Sequence, residues 1–82
     1  RSMPQAAERL RLWQEAMPAR VGLDPRLDLA AVAEQHELSG GTIMNVVRYV
    51  ALRSLVRGDG LIAADDVADG IRRELVKEGR GF

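Results

Sequence analysis

Apolar residues recur at three- and four-residue intervals in four separate stretches, and strict alternation never runs beyond a few residues, so the pattern predicts helices and no substantial strand. The first helix is expected from Pro4, whose fixed φ suits a first turn, with Leu10, Trp13 and Met17 forming one stripe and Leu12 and Ala16 beside it. Pro18 ends it. Residues 19–27, with Gly22 and Pro25, read as a surface link before Asp28 caps a second, short helix that turns Leu29, Val32 and Ala33 inward and stops near His36 or Glu37. A third helix beginning within residues 39–41 places Ile43, Val46, Val47, Val50 and Ser54 on one face. Met44, Ala51, Leu52 and Leu55 widen its apolar arc, the mark of a central helix. Gly58 and Gly60 break it, and Leu61-Ile62 is expected as at most a very short extended piece. The fourth helix is expected from about Ala64 to Lys77, with Val67, Ile71 and Leu75 inward. Asp65 and Asp66 in its first turn and Arg72, Arg73 and Lys77 towards its end complement the helix dipole, and Gly79 and Gly81 loosen the tail.

This pattern defines an all-α fold, a four-helix bundle occupying residues 1–82 as one domain, with residues 1–3 as linker or residue foreign to it. Composition agrees: 82 residues, 46% hydrophobic and 29% charged, support one small core and are too few for two. The chain opens on Arg1 rather than Met, so it is expected to be a piece of a longer protein. Twelve Lys plus Arg balance twelve Asp plus Glu, and this zero net charge weighs against nucleic acid or an acidic membrane as partner. Without cysteine there is no disulfide and no thiolate metal site, and a cytoplasmic setting is expected.

Catalytic chemistry is nearly absent from the sequence. The lone His36 has no cysteine to share a metal with, so it reads as a surface or capping residue and no metal site is expected. Asp65 and Asp66 are adjacent on a helix and point about 100° apart, which prevents them from converging on one substrate atom. No phosphate-cradling or nucleophile-elbow motif occurs, so the chain is expected to have no enzymatic activity alone. Trp13 falls on the inward stripe and reads as core rather than as a stacking surface. The cations Arg72, Arg73, Lys77 and Arg80 read as a solvated helix end. Gly40-Gly41 is different. Glycine is a poor helix former, and two at the head of the most apolar helix point to close approach of another molecule or domain to bare backbone N–H groups.

Several blocks in order carry a resemblance: RLRLW at residues 9–13, Met17-Pro18, LDLAAVA at 27–33, LSGGTIMN at 38–45, LIAADDV at 61–67 and RRELVKEGR at 72–80. Together they resemble the C-terminal helical lid subdomain of AAA+ ATPases, over nearly the whole chain. In that family the lid follows an ATPase core, and ATP with Mg sits between core, lid and the neighbouring subunit of a ring. The resemblance implies that Gly40 and Gly41 begin the sensor-2 helix, with backbone close to adenine and ribose, and that Leu12 contacts the base. Thr42 stands where many relatives carry an arginine that touches the γ-phosphate, so the chain is similar to the branch lacking that arginine. Ala16 matches a position that holds histidine in part of that branch. The implied site residues are thus Gly40, Gly41, Thr42 and Leu12, the cofactor is ATP, and the partners are the protein's own ATPase core and neighbouring subunits of a hexameric ring. Catalytic residues would belong to the core.

Two other readings use the same residues. The ten-residue spacing of Ala33 and Ile43 across a short turn suits a helix-turn-helix DNA binder, with Thr42, Asn45, Arg48 and Tyr49 left to read bases. Against it stand the zero net charge, few cations on the recognition helix, and Glu37 where the turn usually has glycine. A protein-interaction bundle without nucleotide is the third.

Overall fold

The computed structural model describes residues 3–79, and its helices are α1 (Ala6–Ala16), α2 (Leu29–Gln35), α3 (Gly40–Arg57) and α4 (Ala64–Lys77), with two two-residue strands, β1 (Gly22–Leu23) and β2 (Leu61–Ile62). The all-α, four-helix expectation holds. Among the described residues no helix is long and apolar enough to cross a membrane.

Helix α1 begins two residues later than Pro4. Gln5 is extended and serves as its N-cap, its carbonyl accepting the first helical bond from the Arg9 N–H, while the Pro4 carbonyl accepts instead from the Arg9 guanidinium at 2.6 Å. Met17 is extended at the other end, as the residue before proline prefers. Asp28 caps α2 as expected, its carboxylate accepting from the Ala31 N–H at 3.1 Å. Helix α4 has the bounds its pattern predicted. Gly58, at φ 74°, closes α3 in the left-handed conformation that a side chain disfavours.

Residues 19–27 do not merely skirt the surface. Gly22 and Leu23 pair in parallel with Leu61 and Ile62, and this bridge ties the α1–α2 link to the segment entering α4. Asp24, 6% exposed, completes the tie. Ala63, the N-cap residue of α4, offers no side-chain bond, and the Asp24 carboxylate accepts from the Ala64 N–H at 2.9 Å, from the Arg26 N–H at 3.0 Å and from its guanidinium at 3.0 Å. These donors, Arg26 first and then the Ala64 backbone, hold the Asp24 carboxyl well below the usual carboxylate range against the opposing effect of burial.

The core joins Trp13, Ala33, Leu38, Ile43, Val46, Val47, Val50, Ile62, Val67 and Ile71, so every residue of the predicted α3 face is buried, Ser54 included. Trp13 is fully buried and belongs to that core. The wider arc of α3 is another matter: Met44 and Leu52 are exposed, and Leu55 and Val56 are 77% and 75% exposed. Helix α3 packs on α1, α4 and β2, and no element of the described chain covers its third side. Breadth of the apolar arc therefore marked a helix with an uncovered face rather than one buried all round.

Candidate functional site

The head of α3 is built by Ser39. Its hydroxyl oxygen accepts from the Thr42 N–H at 3.1 Å, which caps the first turn and leaves Gly40 half-buried and Gly41 exposed between cap and helix. Neither glycine has a positive φ. A methyl group on Gly40 would meet Leu12 Cδ1 at 3.7 Å, and one on Gly41 would meet nothing nearer than Ser39 Oγ at 3.9 Å, both ordinary contacts. The fold itself thus does not require glycine at either position. The glycine that packing does require is Gly70, where a methyl group would lie 3.0 Å from Val46 Cγ1 and 3.1 Å from the Tyr49 ring.

Of the four predicted site residues, the structure brings Leu12 of α1 and Gly40 of α3 side by side. Gly41 follows on the exposed side. Thr42 points the other way: it is 7% exposed, and its hydroxyl donates to Glu78 at the end of α4 at 2.6 Å. The Gly40 backbone and the Leu12 side chain therefore adjoin, with Gly41 exposed next to them in the chain and Thr42 bonded beneath.

That support is part of a longer seam. Descending α3, Thr42 donates to Glu78, Asn45 to Glu74 at 3.0 Å, Tyr49 to Asp69 at 2.5 Å, and Arg57 to Asp66 at 2.5 Å, with Arg53 also 3.8 Å from Asp66. In each of these pairs the donor is on α3 and the carboxylate on α4 or its C-cap. The Tyr49 hydroxyl and Arg72 lower the Asp69 carboxyl, Lys77 and Asn45 lower that of Glu74, and Asp69 in return raises the Tyr49 phenol. Asp66 is thereby more than a first-turn acid, whereas Asp65 stays exposed. Sequence reasoning missed this seam because its partners lie 9 to 36 residues apart.

The remaining candidates fall into place around it. Arg72 is paired with Asp69, Lys77 with Glu74 at 2.8 Å, and Arg73 lies 4.8 Å over the Tyr49 ring, so the basic end of α4 is spent on contacts along α3 and α4; Arg80 lies outside the described residues. His36 is the half-buried C-cap of α2, its N–H bonded to the Val32 carbonyl. No group of three metal-ligating side chains occurs among the described residues. Arg9, missed in the sequence, is buried and donates from Nε to the Ala33 carbonyl at 2.8 Å, placing its charge at the carbonyl end of α2. Comparison with models of known protein families and with curated proteins finds no match to this chain.

Proposed function

We propose that this chain is the lid subdomain of an AAA+ ATPase, covering the adenine side of a nucleotide whose phosphates are held by a separate core domain. One observation carries the reading: of the residues that the resemblance assigns to the base, Leu12 from one helix lies beside Gly40 at the head of another, although 28 positions separate them. The absence of any internal steric need for those glycines supports a requirement set from outside the bundle. An apolar side chain and bare backbone suit the face and edge of a base. Thr42 brings no cation to the phosphates, so the lid's part is to close over nucleotide and move as a body with it. Hydrolysis, Mg and the ring contacts belong to the core and its neighbours.

The helix-turn-helix alternative draws less support. Thr42, Asn45 and Tyr49, which it needs free for base edges, are bonded to carboxylates of α4, which lies along that side of α3.

The test is direct. The sequence preceding this segment in the full-length protein is expected to contain a P-loop and a Walker B strand within about 200 residues, the size of one α/β domain. A preceding sequence without them refutes the proposal. In the full-length protein Gly41→Val is expected to weaken ATP binding while leaving the bundle folded; unchanged ATP affinity and turnover would show that no ligand approaches this backbone.

A further inference from the structure

The Gly40-Gly41 turn is held from the far end of α4 by a directed relay. The Thr42 N–H donates to Ser39 Oγ at 3.1 Å, the Ser39 hydroxyl donates to Thr42 Oγ1 at 3.0 Å, and the Thr42 hydroxyl donates to Glu78 Oε2 at 2.6 Å. Each hydroxyl has a single proton to give. With the Thr42 O–H directed at the carboxylate, the Ser39 O–H donates to Thr42 Oγ1, which leaves lone pairs of Ser39 facing the Thr42 N–H. The three bonds therefore run one way and end on a charge, an order in which each bond polarises the next. Gly40 and Gly41 lie inside the loop these bonds close. They are the two residues of the turn with the widest backbone freedom, so their conformation depends most on what closes that loop.

We propose that Glu78 is a positioning residue for the nucleotide-facing turn: through Thr42 and Ser39 it fixes the Gly40-Gly41 backbone and gives the last turn of α4 control over it. This rests on the lid reading for the ligand, though not for the relay. Thr42 in this role gives the turn a tether to α4 in place of a charge to the phosphates. A second rung, Asn45 to Glu74, lies one turn further along the same seam, so a shift of the end of α4 pulls the head of α3 at two points.

The test compares variants that break the relay, Thr42→Val and Glu78→Ala, with variants that keep a hydroxyl and an acceptor, Thr42→Ser and Glu78→Gln, all in the full-length protein. Hydrogen exchange of the peptide covering residues 38–46 is expected to quicken about fivefold or more in the breaking pair, the effect of losing one net hydrogen bond, and to stay near wild type in the conservative pair. ATP dissociation constants by calorimetry are expected to rise about three- to tenfold in the breaking pair and to recover in the conservative pair. Unchanged exchange overturns the relay whether or not the protein binds ATP. Faster exchange with unchanged ATP affinity, in a protein where Gly41→Val does weaken ATP, overturns the positioning role alone. A full-length protein that binds no ATP overturns the lid reading instead.

Discussion

Gly70→Ala offers a sharp test of how α4 sits on α3. Replacing glycine by alanine inside a helix ordinarily stabilises by about 1 kcal/mol, because the backbone has less freedom to lose. Here the new methyl group would stand 3.0 Å from Val46 Cγ1 and 3.1 Å from Tyr49 Cδ2, where carbon atoms prefer about 3.5–4.0 Å. Neither neighbour has room to retreat. Val46 is fully buried in the core, and the Tyr49 ring is held by its hydroxyl bond to Asp69 on one side and by Arg73 stacked over it. The strain should fall in the upper part of the overpacking range, about 2–3 kcal/mol, leaving a net loss of about 1–2 kcal/mol after the propensity gain.

For a domain of this size that loss lowers the thermal midpoint by roughly 5–15 °C, readable by circular dichroism at 222 nm and by urea titration. The cause can be isolated with Val46→Ala, which costs about 2 kcal/mol alone but removes the nearer of the two obstructing atoms. In that background Gly70→Ala should cost at least about 1 kcal/mol less than in the wild type, the coupling expected of residues in direct contact. An unchanged or raised midpoint for Gly70→Ala, or strictly additive costs in the double variant, would refute the close packing of the two helices at this point.

Acid should weaken the bundle in a defined window. The Asp24, Asp69 and Glu74 carboxyls, and that of Asp59, which accepts from the Arg57 guanidinium at 2.7 Å and the Leu61 N–H at 3.0 Å, are all lowered by folding, so the unfolded chain binds more protons as pH falls below the ordinary carboxylate value of about 4. Their stabilisation is complete above that value and is lost as pH falls through the lower folded-state values; urea midpoints between pH 6 and 2.5 should show the decline, and Asp24→Asn should flatten it. Leu55→Ser should change stability by no more than about 0.5 kcal/mol, whereas Ile43→Ala should cost about 2–4 kcal/mol, two outcomes that a urea series separates easily. The glycine at 40 should tolerate alanine without loss of thermal stability, since the added methyl group meets only Leu12 at ordinary contact distance. A fall of several degrees would contradict the placement of α1 against the head of α3.

The inward face of α3 was legible because its period is local: Ile43, Val46, Val47, Val50 and Ser54 declare one side of a helix by spacing alone, and all are buried. The Asp28 cap and the bounds of α4 were legible for the same reason, since caps and dipole-matched charges act within a turn. What spacing cannot reveal is which element faces which. Asp24 bonds to Ala64 forty positions away, and Thr42 to Glu78 thirty-six away, so both looked like unremarkable link and tail residues. Gly70 passed without notice because a helical glycine signals close packing only once its neighbour is known. Of the candidate site, the glycine pair stood out through propensity, while Leu12 entered only through resemblance; its adjacency to Gly40 is a product of the tertiary fold.

The arrangement of contacts explains why a ligand at this surface would have leverage. Helix α1 packs on α2, α3 packs on α4, and the two pairs are joined by α1 on α3, by the β1–β2 bridge and by Asp24 at the start of α4. Leu12 belongs to the first pair and Gly40 to the second, so their shared surface lies across the line where the halves meet. A flat, partly apolar ligand seated there touches both, and its binding energy opposes any motion that separates them. The bridge and Asp24 grip the opposite end of α4 from Glu78, which leaves α4 anchored near Ala64 and bonded to the α3 turn at its other end. Displacement of the end of α4 would therefore act on the Gly40-Gly41 backbone through Thr42 and on the next turn of α3 through Asn45. Under the proposed lid reading, nucleotide at that backbone would resist the same displacement, and the coupling would be reciprocal.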